Sequence, residues 1–181
     1  YRVLANNHDC LVFTLGDNVA PFRLNPLEFL EGESISAHVD MVKACIEAAF
    51  DMEAAIPQII ESSLYRCYEK KGWNVETNKN SKYENPYADD VNAFPTLSDL
   101  IEVTKEIVEE QGFDERLKND YLGSVRARLK GLVVGAKGSM LNTPRSIDFF
   151  KLLDRNVVIE LENIKSAGPS CQDTRFRPSP H

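Results

Sequence analysis

Near the far end of the chain stands Val157-Val158-Ile159-Glu160-Leu161, a run whose opening residues are apolar on both faces of an extended backbone. A strand of that kind is buried above and below and needs hydrogen-bonded neighbours along both edges. The other strong strand run, Leu11-Val12-Phe13-Thr14-Leu15, stopped by Gly16-Asp17-Asn18, lies at the opposite end of the 181 residues. Almost everything between has helical periodicity, and few segments remain to complete a sheet. The expected fold class is therefore an α/β fragment, with few strands flanking a mostly α-helical insert. Tyr1 opens directly into the strand-like Arg2-Val3-Leu4, so the chain is expected to begin inside a longer protein.

The helical stretch divides at its turn residues. Ala20 to Pro26 reads as extended, and after Glu31-Gly32-Glu33 apolar residues recur at three- and four-residue steps (Val39, Val42, Cys45, Ile46, Ala49, Phe50), with Ser34 or Ser36 as cap. A second helix starts at Ile56-Pro57, where the missing proline N–H has no partner to lose, and stops at Lys70-Lys71-Gly72. Asn74 to Asp90 reads as a polar, solvent-exposed, mobile loop. Pro95-Thr96-Leu97-Ser98-Asp99 is a capped helix start, and that helix and the next, from about Asp114 to before Gly135, form an antiparallel pair across a short turn. Ser146 is the expected cap of a short helix through Phe149 and Leu153. Lys165 to His181, with three prolines and no apolar period, is expected to be disordered.

Composition excludes several classes of function. With 21 basic against 28 acidic residues the net charge is −7, which argues against a nucleic-acid binder held by overall positive charge while permitting a local basic surface. No apolar run reaches the length of a membrane span, and a soluble, cytoplasmic chain without membrane insertion is expected. Cys10, Cys45, Cys67 and Cys171 stand too far apart for a zinc motif, so no metal site is expected. Cys45 and Cys67 read as small buried hydrophobes. His8 and His38 have no partner at diagnostic spacing, no nucleophile elbow occurs, and no catalytic residue is assigned. Trp73 reads as a packing cap beyond the helix-ending Gly72.

Two stretches touch phosphate chemistry. Gly131 to Ser139 imitates a phosphate-cradling loop, but Ala136 occupies the second glycine position and Gly138 the hydroxyl position, and a helix rather than a strand precedes it. Glu160 and Glu162, at the end of the late strand, stand where open α/β sheets place ligands; solvent-facing strand-end carboxylates are the other reading. Charge is also segregated. Seven acids lie between Asp99 and Glu115, whereas Tyr121 to Ile147 has none and carries Arg126, Arg128, Lys130, Lys137 and Arg145, the last two in a glycine-containing loop after the helix. Two readings stay open: a surface for the phosphates of DNA or a nucleotide, or a solvated face paired with the acidic helix.

Taken in order, Phe13-Thr14-Leu15-Gly16-Asp17, Arg23-Leu24-Asn25-Pro26-Leu27, Leu64-Tyr65 with Gly72-Trp73, and Phe94-Pro95-Thr96-Leu97 with Asp99-Leu100 form a recognisable series. It continues through Arg126-Ala127-Arg128-Leu129, Gly135 to Gly138, Leu141-Asn142 to Ser146, and Val157 to Leu161. The series resembles the HerA/FtsK-like P-loop ATPases, particularly bacterial proteins with a HerA-type central domain, relatives of conjugative DNA-transfer ATPases. The likeness runs from Tyr1 to Ile164. It implies a RecA-like ATPase core at residues 1–33, a helical insert at 34–154, a returning core strand at 155–164, and a tail outside the family pattern at 165–181. It also implies that the Walker A loop precedes this segment and the Walker B strand follows it. ATP and Mg would then belong to the parent protein, a DNA translocase or helicase-type motor that self-associates into a ring, often a hexamer, while this chain alone would be inactive. By motif position Arg128, Lys137 and Arg145 are candidates for nucleotide or DNA contacts. The reading from a different class is a non-catalytic helical module that docks a protein or nucleic acid through its basic edge.

Overall fold

The computed structural model describes residues 10–14, 22–50 and 55–160. The fold is mixed α/β, mostly helical, with a small parallel sheet. Strand β1 (Cys10–Thr14) pairs in parallel with β4 (Asn156–Glu160), Leu11 opposite Val157 and Phe13 opposite Ile159. The two apolar runs at the ends of the sequence thus meet, and every other described element is the connection between them. Parallel pairs are stable when covered on both faces, yet here Val157 and Val158 are only half-buried and Ile159 is 44% exposed. On the Phe13 side, Phe22 meets Phe13 edge-on and Phe149 meets Phe22.

Helices α1 (Ile35–Ala49), α2 (Ile56–Lys70), α3 (Leu97–Glu110) and α4 (Glu115–Val133) follow in order, each packing on the one before it. Short helices α5 (Gly135–Leu141) and α6 (Phe149–Leu153) lead to β4. Ile59, Ile60 and Leu64 of α2 and Leu100, Val103 and Val108 of α3 fill the core between them, each nearly or fully buried. At one end of this core Phe29 is ringed by Tyr68, Trp73, Tyr87 and Phe94 at 4.8–6.2 Å between centroids. Trp73 is buried and donates to the Ala93 carbonyl at 2.7 Å, so it packs as its sequence position indicates.

Helix ends agree with the sequence where the cap is local and differ where it is not. Thr96 and Asp99 form the reciprocal box expected at the start of α3, and Asp114 accepts from the first-turn N–H groups of α4. Ser34 occupies the cap position of α1, but its hydroxyl makes no cap hydrogen bond; the Ile35 N–H donates instead to Asn78 Oδ1 at 2.9 Å. Ser146 does not cap α6 either. Asp148 does, and Ser146 Oγ accepts from the Asn25 N–H at 2.9 Å.

Asn78 belongs to the stretch expected to be an open polar loop. That stretch instead contains a hairpin of β2 (Trp73–Asn74) and β3 (Lys79–Asn80). Its asparagines supply the acceptors that strand partners would have given: Asn74 Oδ1 takes the Thr77 N–H, and Asn80 Oδ1 takes those of Lys82 and Tyr83. Cys67 is buried as expected, and burial pushes its thiol up to about 12; Cys45 is exposed, because its side of α1 borders a groove rather than the core. His8, Leu15, Glu162, Cys171 and the expected disordered tail lie outside the described residues.

Candidate functional site

The Gly131 to Ser139 stretch is not a loop that cradles phosphate but the junction of two helices. Gly135 opens α5 at φ 64°, and a Cβ on Gly138 would sit 2.2 Å from the Val133 carbonyl oxygen. The glycines let α5 start directly against the end of α4. Lys137, expected in a loop, consequently lies within α5, while Arg145 lies in the segment that follows.

Pairing of the charged helices settles which cations remain available. The acids of α3 turn toward α2: Glu110 meets Arg66 at 3.3 Å, Glu106 meets Lys70, and Asp99 meets Lys71 at 3.2 Å. Burial opposes ionisation of Asp99, but the Thr96 backbone N–H, Lys71 and the Thr96 hydroxyl outweigh it and hold the carboxyl below its ordinary value. The acidic helix is therefore not neutralised by the basic residues of α4. Arg126 and Lys130, one turn apart and exposed, and Lys137, half-exposed, form no ion pair with any described residue. Arg128 is engaged, donating to the carbonyl and the hydroxyl of Ser124.

Arg145 is placed quite differently. Its Nε lies 3.1 Å from Glu28, its terminal nitrogens donate to the Pro86 and Tyr87 carbonyls at 3.3 and 2.8 Å, and its guanidinium carbon stands 5.3 Å from the centre of the Phe94 ring. Every face of the guanidinium is used inside the protein. The structure thus brings Arg126 and Lys130 together and ties Arg145 into a separate assembly with the 22–30 segment. Glu160 ends β4 with a partner of its own.

That 22–30 segment holds the residue that sequence reasoning missed. Asn25, 1% exposed, takes the Leu27 N–H on Oδ1 and donates from Nδ2 to the Pro95 and Pro144 carbonyls. Leu24 N donates to Met140 O and Ile147 N to Arg23 O, both at 2.9 Å. The Tyr68 hydroxyl donates to the Leu27 carbonyl at 2.7 Å, and burial pushes its pKa up. Residues 22–30 stitch the start of α3 to α5 and to the segment between α5 and α6. Arg23-Leu24-Asn25-Pro26-Leu27 stands in the motif series, but the letters assign Asn25 none of these contacts.

Among the described residues no cluster of three or more His, Cys, Asp or Glu could hold a metal ion, and no helix is long and apolar enough to cross a membrane. No family model matches the chain, and no curated protein matches it. Its fold is similar to that of VirB4 of Thermoanaerobacter pseudethanolicus, with a TM-score of 0.53 and 15% sequence identity over 91% of this chain. The chain spans 58% of the length of that protein.

Proposed function

We propose that this chain is the segment between the two nucleotide-binding motifs of a HerA/FtsK-like P-loop ATPase. The observation that carries it is the β1–β4 pair: two parallel strands, apolar on both faces, joined through a helical excursion and left half-exposed. Such a pair is the inner portion of a larger parallel sheet. The likeness in fold to VirB4, of which the chain spans 58%, supports the same reading. In the parent, ATP and Mg would bind at the Walker motifs, and Arg126, Arg128, Lys130 and Lys137 would supply contacts to nucleotide or DNA. Arg145 would serve by holding its segment in place. A cytoplasmic ring acting on DNA is the assembly this family implies. The 181 residues contain no complete Walker A sequence, so the chain alone should not hydrolyse ATP.

The deciding experiment is to sequence the source DNA on both sides. The proposal expects an in-frame strand, Gly-x-x-x-x-Gly-Lys-Ser/Thr and helix upstream, and an apolar strand ending in acids downstream. A start codon at Tyr1 with a stop after His181 would overturn it.

One observation favours a second reading, a helical module that docks a partner through its basic edge: Arg126, Lys130 and Lys137 carry no ion pair to a described residue. Under it, the isolated chain is retained on DNA in a salt-dependent way. Replacing Arg126 and Lys130 by alanine then lowers the slope of log affinity against log salt by about 0.9 for each phosphate no longer neutralised. Absence of retention at low salt would dispose of this alternative.

A further inference from the structure

The strand pair and the helical body are joined by two stretches of chain, 22–30 on the way into α1 and 142–148 on the way out of α5. Among the described residues the strands pack on each other and β4 packs on α6, while α1 to α5 pack in series on one another. No helix of that series packs on a strand to a like extent, which leaves the two stretches as the mechanical link. They are bonded to each other. The Ile147 N–H donates to the Arg23 carbonyl and the Asn25 N–H to Ser146 Oγ, both at 2.9 Å. Glu28 takes the Ser146 N–H on one carboxylate oxygen at 2.6 Å and Arg145 Nε on the other at 3.1 Å.

The link has two ends. Toward the strands, Phe22 stands edge-on to Phe13 of β1 and to Phe149 of α6, at 5.7 and 6.0 Å between centroids. Toward the helices, Asn25 Nδ2 donates to the Pro95 carbonyl just before α3, and Asn142 exchanges two hydrogen bonds with Ser98 in the first turn of α3, at 3.0 and 2.8 Å. The Leu24 N–H donates to the Met140 carbonyl of α5. Asn25 is buried with its amide nitrogen and its oxygen both engaged, so neither stretch can shift alone without leaving polar groups unpaired away from water.

We infer that these two stretches form one clamp that fixes the strand pair to the helical body, so that a displacement of the strands is delivered as a unit to the start of α3 and to α5. Apolar packing is non-directional, whereas a carboxylate bonded through both oxygens fixes an orientation. Asn25 and Glu28 key the clamp, because each bonds to several groups and its loss orphans all of them. A link of this kind is closed or open rather than gradually deformable. It is built from residues of this chain alone and is the same under either reading of the chain's function.

Spin labels attached to genetically encoded p-acetylphenylalanine at Lys105 of α3 and Leu153 of α6, both exposed, report the orientation by pulsed double electron–electron resonance in the full 181-residue chain. The distance distribution should be a single narrow peak. Glu28→Gln and Asn25→Ala should each lose that peak for a broad distribution while circular dichroism shows the helices still folded. Ile60→Val, which loosens the core of α2 away from the clamp, should keep it. Native-state hydrogen exchange in the unsubstituted chain is the second measurement: the amides of Leu24, Asn25, Ser146 and Ile147 should open together, with protection factors within about threefold of one another. A broad distribution in the unsubstituted chain, a peak unchanged in both clamp variants, or a peak lost equally in Ile60→Val would overturn the inference. So would independent exchange of the four amides, and that result decides alone if both clamp variants unfold the helices.

Discussion

Arg145 shows how much one side chain can hold. It joins Glu28, the 86–87 carbonyls and the Phe94 ring, three stretches far apart in sequence. Removing it leaves a carboxylate only 14% exposed without its partner, so Arg145→Ala should lower stability by about 3 kcal/mol in urea unfolding. An unchanged midpoint would free Arg145 for an external role. The sequence displays this arginine as one member of a basic window, because charge is visible in a string of letters and long-range partners are not. Asn25 was hidden for the same reason: its hydrogen bonds reach 70 and 119 residues along the chain. His38 makes a pH-dependent prediction. Burial lowers its pKa below 6.5, against the opposing pull of the Pro26 carbonyl and Glu33. The unfolded ring then takes up a proton that the folded ring refuses, so stability should fall as pH drops below 6.5 and level off beneath the folded-state pKa. In His38→Gln the difference between unfolding free energies at pH 7 and pH 5.5 should shrink; an identical difference would show that His38 contributes nothing to it.

At the level of single elements, helices were legible wherever a 3.6-residue period and a nearby cap coincided. The boundaries expected at Thr96 and Asp114 match because the capping side chains are near neighbours, and those at Ile56 and Lys70 match because Pro57 stands in the first turn and Gly72, at φ 93°, follows the last. The start of α1 departs from that rule, being capped by Asn78 from the hairpin. Asn78 sits at φ 55°, which glycine also tolerates, so Asn78→Gly isolates the cap from the backbone conformation. That variant should lose about 1 kcal/mol, measured by chemical denaturation, while Ser34→Ala should lose almost nothing. The reverse order of effects would restore the local cap. Cys45 illustrates the opposite error: an apolar stripe says that a helix face is covered, and α1 is covered along only part of that stripe, with the groove beside the remainder.

For the molecule as a whole, the helical body and the strand pair are unequal partners. α2 and α3 bury whole side chains against each other, whereas β4 leaves Ile159 44% exposed. Native-state hydrogen exchange should therefore find the amides of 157–160 exchanging at least about tenfold faster than those in the middle of α2 and α3. Equal protection across both would mean that the pair is complete without further strands. The sequence made this imbalance readable, since a strand apolar on both faces with few partners in the chain states its own incompleteness. The exact pairing, Leu11 with Val157, was beyond it, because parallel register is set by contacts that neither strand encodes alone.

That pairing also has a bearing on synthesis. Residues 15–155 separate the two strands, so when β1 leaves the ribosome its partner does not yet exist. At elongation rates of 5–20 residues per second the wait is on the order of ten seconds, ample for local helices to form and dock. The helical body is thus set to fold first, and β1 spends that interval without β4 along one of its edges.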